Sequence, residues 1–259
     1  MKIATWNVNG IRARQQQALE WIYRDQPDII CLQELKAARE QVPESLSQME
    51  DYWCCWHGER AYSGVALLVR RDMTSERPRF EHPDFDFETR IVTAQIGNLV
   101  IGSVYVPNGG KDFAAKMGFL ESMERYAADC HSRDLDLVLC GDMNVARTDQ
   151  DVHPIERKPN AIGQRPEERE LFERVFSSGG LIDVGRTLEP DNDRLFTWWP
   201  PWRSMRQKNI GWRLDYVLAS QTVADRITHC SVLAQVGTSD HAPVVAELQL
   251  PVASRQSPV

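Results

Sequence analysis

The sequence predicts an α/β protein of layered type, on three observations. Short runs rich in Val, Ile and Leu recur from residue 3 to about residue 250, amphipathic helices fall between some of them, and no Pro/Gly/Ser-rich linker divides the 259 residues. At roughly 150 residues per domain this length admits one or two domains. The unbroken series of strand-like runs favours a single domain over residues 1–250, and Pro251 to Val259, with turn formers and no periodicity, is expected to be a flexible tail.

In chain order, the expected strands are Ile3 to Trp6, Ile29 to Leu32, Gly64 to Val69, Ile91 to Ile96, Leu99 to Val106, Leu135 to Cys140, Leu214 to Ala219 and Pro243 to Leu250. Their nearly continuous apolar character is that of strands buried on both faces. Shorter helical patterns occupy Gln15 to Tyr23 and Pro43 to Met49. From Asp112 to His131, the positions Phe113, Met117, Leu120, Met123, Ala127 and Cys130 recur at three and four, which sets them on one helical face. Another helix is expected to open with Pro166 and to carry Glu167 and Glu168 where the macrodipole favours acids. It would bury Leu171, Phe172, Val175 and Phe176 and stop at Gly179-Gly180.

Composition narrows the function. With 42% apolar and 26% charged residues the chain is neither disordered nor fibrous. The longest apolar runs, Val65 to Val69 and Tyr52 to Trp56, fall far short of the roughly 20 residues of a membrane-spanning helix, so no membrane partner is expected. Met1 to Trp6 passes straight into a strand without a charged leader, and the expected compartment is the cytoplasm. The six cysteines are scattered without a C-x-x-C pair or zinc-finger spacing, and read as small buried hydrophobes in a reducing environment. The net charge of -7, from 30 basic and 37 acidic residues, opposes nonspecific attraction to a polyanion.

Acids and amides fall at the ends of the strands. Ile29-Ile30-Cys31-Leu32 runs into Gln33-Glu34, and Leu137-Val138-Leu139-Cys140 into Gly141-Asp142-Met143-Asn144. The first strand ends at Asn7 and Asn9, and Asp240-His241 precedes the last. Taken one at a time, such residues read as turns or caps, and a lone histidine as structural. Repetition at several strand ends, where layered α/β proteins gather their ligands, points instead to hard oxygen ligands for Mg²⁺ beside a catalytic pair, and so to a metal-dependent hydrolase.

Seven segments then carry a family resemblance: Trp6-Asn7-Val8-Asn9-Gly10-Ile11-Arg12-Ala13, Leu32-Gln33-Glu34-Leu35-Lys36, Tyr62-Ser63-Gly64-Val65-Ala66, Tyr105-Val106-Pro107-Asn108, Gly141-Asp142-Met143-Asn144, Trp212-Arg213-Leu214-Asp215-Tyr216 and Ser239-Asp240-His241-Ala242-Pro243. In this order, across nearly the whole chain, they resemble the motifs of the exonuclease III class of AP endonucleases, within the endonuclease/exonuclease/phosphatase superfamily. The resemblance implies a DNase I-like, four-layered α/β sandwich of two mixed β-sheets flanked by helices. It implies Mg²⁺-dependent cleavage of double-stranded DNA on the 5′ side of abasic sites, with 3′-phosphodiesterase and 3′→5′ exonuclease activity on blocked 3′ ends, by a monomer.

Carried over by motif, Glu34 is the main metal carboxylate, with Asn7, Asn9 and Asp240 near the metal, and Mn²⁺ is the alternative ion. Asp142 would orient or deprotonate the attacking water and Asn144 would hold that water or a phosphate oxygen. His241 would donate to the phosphoryl group, with Asp215 accepting from its other nitrogen, and Tyr105 would bond the phosphate or assist proton transfer. Two departures stand out: Asn9 lies where some members have Asp, and Lys111 where some have Arg, whose planar fork it lacks.

Between Phe196 and Arg213 there is no acid, while Arg203, Arg206, Lys208 and Arg213 accompany Trp198, Trp199, Trp202 and Trp212. Basic side chains there would take phosphates and aromatic faces would line a gap left by a missing base. The segment Phe196-Thr197-Trp198-Trp199, with Trp212, resembles the family's apolar pocket for the abasic sugar, although Trp199 reads equally as core. The expected DNA-binding residues are Arg12, Lys111, Trp198, Arg206, Lys208, Asn209 and Trp212. A noncatalytic nucleic-acid-binding regulator on the same fold is the competing reading; it predicts gaps among the acids, and none is present.

Overall fold

The computed structural model describes residues 1–249, so the expected tail lies outside the described residues. The strands are β1 (Lys2–Asn7), β2 (Ile29–Gln33), β3 (Tyr52–Glu59), β4 (Tyr62–Arg70), β5 (Arg79–Glu81), β6 (Ile91–Ile96), β7 (Leu99–Tyr105), β8 (Asp136–Asp142), β9 (Leu181–Asp183), β10 (Asp215–Ser220), β11 (Ile227–Val232) and β12 (Val244–Leu248). The helices are α1 (Gln15–Asp25), α2 (Glu44–Ser47), α3 (Phe113–Ser132), α4 (Pro166–Ser177), α5 (Val184–Leu188) and α6 (Gln221–Ala224).

Two six-stranded mixed sheets form, in the orders β11-β12-β1-β2-β4-β3 and β5-β6-β7-β8-β10-β9. Alternation along each strand divides its apolar residues between two faces. Ile3, Ile29, Cys31, Leu67 and Val69 meet Val92, Ile101, Val138, Cys140 and Val217 between the sheets. On the opposite faces, Ala4, Trp6, Ile30 and Leu32 pack on Ala18, Trp21 and Ile22 of α1, and Val104, Leu137, Leu139 and Leu218 pack on Phe119, Met123, Phe172 and Val175 of α3 and α4. This helix–sheet–sheet–helix stack is the expected four-layered sandwich, and it explains why the strands are apolar on both faces.

Helix α3 begins where Asp112 caps it, its Oδ1 accepting from the Ala115 amide at 2.9 Å. Its buried face includes Lys116 and Glu124, polar positions that the 3.6-residue pattern passes over. Strands β5, β9 and β11 were not legible as strands. β5 and β9 have three residues each, and β11 is an edge strand exposing Thr228 and His229, so none shows a continuous apolar run. β3 contains the Tyr52 to Trp56 run, but its other residues are half-buried or exposed.

Strand register gathers the candidate residues. Tyr105 pairs with Asp142 across the parallel β7–β8 ladder, and Asp142 pairs with Asp215 across the antiparallel β8–β10 ladder. β1 runs parallel to β2, so Asn7 and Gln33 end together, while β12, antiparallel to β1, starts at the same end. Beneath, Thr5 donates to Gln33 Oε1 and Gln33 Nε2 to Ser103 Oγ, joining the two sheets through buried polar groups.

Candidate active site

Glu34, just beyond β2, sits at a φ of 51°, a conformation that aims its carboxylate across the end of the sandwich. Asn7 Nδ2 donates to Glu34 Oε1 and to Asp142 Oδ2, both at 2.9 Å, and so ties a carboxylate of one sheet to a carboxylate of the other. Its Oδ1 is taken by the Asn9 amide at 3.0 Å. Gly141 precedes Asp142 at the tightest approach of β8 to β7: a Cβ there would lie 1.8 Å from Val104 O. Only glycine fits, and this close approach brings Asp142 against Tyr105.

Asp142 is buried, and each of its oxygens accepts hydrogen bonds: Oδ1 from the Asn144 amide at 2.9 Å, Oδ2 from Asn7 and, at 3.3 Å, from Asn144 Nδ2. Asn144 also donates to Val106 O and accepts from Asn108 Nδ2, which leaves its carboxamide firmly oriented. His241 Nδ1 donates to Asp215 Oδ2 at 2.8 Å, and its Nε2 faces Asp142 Oδ2 at 3.8 Å. Asp215 Oδ2 is also held by Thr197 Oγ1 at 2.6 Å, and that hydroxyl in turn accepts from the amides of Leu214 and Asp215.

Burial alone would lower the His241 pKa, but the charges of Asp215 and Asp142, with the Asp215 hydrogen bond and Asp240, push it up to about 10. The ring is therefore an imidazolium at neutral pH. Burial pushes the Asp142 carboxyl up to about 7, with the charges of Asp215 and Glu34 acting in the same direction and His241 opposing them. For Glu34, burial is outweighed by the Asn7 hydrogen bond, His241 and Lys36, and its pKa falls. Burial, then the charges of Glu34 and Asp142, raises the Tyr105 hydroxyl well above its ordinary value, so it is a donor rather than a base.

Donor atoms of Glu34, Asp142 and His241 lie within 4.8 Å of one another. Asp215 Oδ1 is buried without a hydrogen-bond partner among the described residues. Lys36 Nζ pairs with Glu34 Oε2 at 2.7 Å and donates to Asn9 Oδ1 at 2.6 Å. An oxygen-rich cluster with this excess of carboxylates fits a hard divalent cation.

Asn9 and Asp240 pair with each other, Nδ2 to Oδ1 at 2.7 Å, and Asp240 Oδ2 accepts from Trp198 Nε1 at 3.0 Å. They form a rim beside the central cluster. Trp198 and Trp212 meet edge to face at 5.5 Å, half-buried, with His241 6.4 Å from Trp198. Trp199 is core at 2% exposure, whereas Trp202 is 56% exposed.

Two of the expected DNA-binding residues also have partners within the fold. The Arg206 guanidinium donates to the carbonyls of Ala234, Ser239 and Val236 and lies over the Trp199 ring, so three of its five N–H donors fasten the loop. Asn209 accepts from Trp199 Nε1 and donates to Arg194 O, a structural role at a φ of 50°. Arg12, Lys111 and Lys208 are exposed, with Lys111 Nζ 5.2 Å from the Tyr62 ring centre.

Thr197, Lys36 and Lys116 fall in segments the sequence singles out, but their supporting roles beside the cluster were not read from it. Lys116, fully buried, pairs with the equally buried Glu168 and donates to Asn144 O at 2.8 Å, buttressing the turn after Asp142.

The profile of the endonuclease/exonuclease/phosphatase family matches residues 4–241. An exodeoxyribonuclease of Bacillus subtilis is 33% identical over 94% of this chain and 98% of its own length. The DNA repair nuclease APEX1 of Danio rerio is 33% identical over 94% of this chain and 81% of its own. Among solved structures, a 3′-5′ exonuclease from Neisseria meningitidis superposes with a TM-score of 0.87 at 31% identity, covering 96% of this chain and all of the other. An AP endonuclease from Archaeoglobus fulgidus does so with a TM-score of 0.86 at 28% identity and the same coverage. Fold, motif order and full-length similarity agree: the chain belongs to the endonuclease/exonuclease/phosphatase family, as a nuclease of the exodeoxyribonuclease III type that hydrolyses DNA phosphodiester bonds.

Proposed function

We propose that the chain is a Mg²⁺-dependent DNA repair phosphodiesterase that incises double-stranded DNA on the 5′ side of abasic sites and also acts on blocked 3′ ends, as 3′-phosphodiesterase and 3′→5′ exonuclease. The observation that carries this reading is the buried His241 imidazolium, held by Asp215 beside Asp142 and Glu34 and bordered by an aromatic wall of Trp198 and Trp212. The exodeoxyribonuclease and AP endonuclease activities named for its relatives support the same substrate class.

Glu34, with Asn7, Asn9 and Asp240 near it, would hold the cation, which when bound supplies Lewis-acid stabilisation of phosphoryl charge; Mn²⁺ would serve the same donors. His241 Nε2 donates to a nonbridging oxygen, where charge grows in the transition state. Asp142 orients the attacking water and accepts its proton, and Asn144 fixes the Asp142 carboxylate. Tyr105 donates to the phosphate. Trp198 and Trp212 receive the abasic sugar, while Arg12, Lys111 and Lys208 contact flanking phosphates. We read the working unit as a cytoplasmic monomer of a single domain; its cysteines are unpaired.

A duplex carrying one stable abasic-site analogue tests the proposal. Incision is expected with Mg²⁺ and lost with chelator. Normal duplex binding without Mg²⁺-dependent incision would instead establish the noncatalytic regulator.

A further inference from the structure

Away from the nuclease residues, a second set of metal-ligating side chains converges. One ring nitrogen each of His57 and His82 and a carboxylate oxygen of Asp86 lie within 4.8 Å of one another. His57 is on β3, the edge strand of one sheet, and His82 directly follows β5, the edge strand of the other. The β3–β4 pairing is irregular between His57 and Glu59, the kind of break that re-aims a side chain. Asp86 lies in the connection from β5 to β6.

The carboxylate is held before any ion arrives. Asp86 Oδ1 accepts from the amides of Arg90 at 2.8 Å and Ile91 at 3.0 Å, which turns Oδ2 toward His57 Nε2 at 2.5 Å. The two imidazoles stack with centroids 3.8 Å apart, and His82 Nδ1 faces Ile91 O at 3.4 Å. Backbone partners that orient ligands in this way accompany metal sites generally.

We propose that His57, His82 and Asp86 form a second metal site, selective for a divalent transition-metal ion such as Zn²⁺, which staples the open edges of the two sheets. Two imidazoles and one carboxylate are a borderline donor set that suits Zn²⁺ over Mg²⁺, the reverse of the oxygen-rich cluster at Glu34. Ligand bonds of about 2.0–2.2 Å in a tetrahedral site set donors roughly 3.3 Å apart. Uptake therefore needs His57 and Asp86 to part by less than an ångström, exchanging their hydrogen bond for the ion, while the His82 ring, within 4.8 Å of both, turns its nitrogen to the same point. His82 is exposed, so the site opens to solvent and water completes the coordination.

The test titrates chelator-stripped, full-length protein with Zn²⁺ against a chromophoric competitor, in the Glu34→Gln background so that the nuclease cluster is weakened. One tight equivalent of Zn²⁺ is expected, with a rise in thermal midpoint. Adding His82→Ala should weaken that equivalent at least tenfold and abolish the rise. Asp86→Asn, which keeps an oxygen for the two backbone amides, should weaken it as well. Zn²⁺ affinity unchanged by His82→Ala, or no tight equivalent in the Glu34→Gln protein, would overturn the proposal.

Discussion

Asp142 stands where four demands meet: the row of paired strand residues places it, Gly141 lets it approach β7, Asn7 and Asn144 occupy its oxygens, and His241 faces it at 3.8 Å. Asp142→Asn keeps the shape and removes the carboxylate proposed to orient or deprotonate the water. Single-turnover incision should fall by about 10²–10⁴-fold, with affinity for abasic duplex nearly unchanged; retained turnover would remove Asp142 from the mechanism. His241 gives a pH prediction for the metal-free protein. Its pKa rises from 6.5 to about 10 on folding, so its contribution to stability is complete below pH 6.5 and is lost as the pH climbs through 10. The Asp142 carboxyl, raised from 3.8 to about 7, acts in the same sense over a lower range. Thermal melts in chelator should show a falling midpoint from pH 6 to pH 10, and His241→Gln should flatten the upper part of that fall. Parallel curves for the two proteins would contradict the assignment.

The segment from Phe196 to Arg213 shows what an element's composition does and does not reveal. Its lack of acids and its tryptophans were plain in the sequence, yet the four basic residues divide by environment. Arg213 is buried between Asp151 and Asp183, Arg206 holds three carbonyls, and only Arg203 and Lys208 remain exposed. Antiparallel bridges from Trp198 to Trp212 and to His241 bind the segment to the site. Arg206→Ala should therefore cost about 1–3 kcal/mol in denaturant unfolding and leave the salt dependence of DNA binding unaltered. Lys208→Ala should do the opposite: stability within about 0.5 kcal/mol of wild type and a slope of log K against log salt reduced by roughly one. An Arg206 variant with normal stability and a shallower slope would restore it as a phosphate contact.

At the scale of the whole molecule, the net charge of -7 and the proposed grip on DNA are compatible if several acids are neutralised by the bound cation while basic side chains meet phosphate. Glu34, Asp142, Asp215 and Asp240 are grouped at the nuclease cluster and its rim, whereas Arg12, Lys111 and Lys208 are exposed. Binding to intact duplex should accordingly be weak at physiological salt and at least tenfold tighter for duplex with an abasic analogue, measured by fluorescence anisotropy in Ca²⁺ or chelator. Equal affinities would mean that Trp198 and Trp212 do not read the lesion. The sequence by itself determined the layers, since strands apolar on both faces must be covered on both, and the ordered motifs identified the nuclease family. Only the tertiary structure decided which side chains serve the fold and which remain free. Arg206 and Asn209 gained partners within the fold, Thr197 and Lys116 became supports, and His57 met His82 across two sheet edges. The physical reason is that a side chain's partners come from strands remote in sequence, and a hydrogen bond already made to a buried carbonyl is not available to a phosphate.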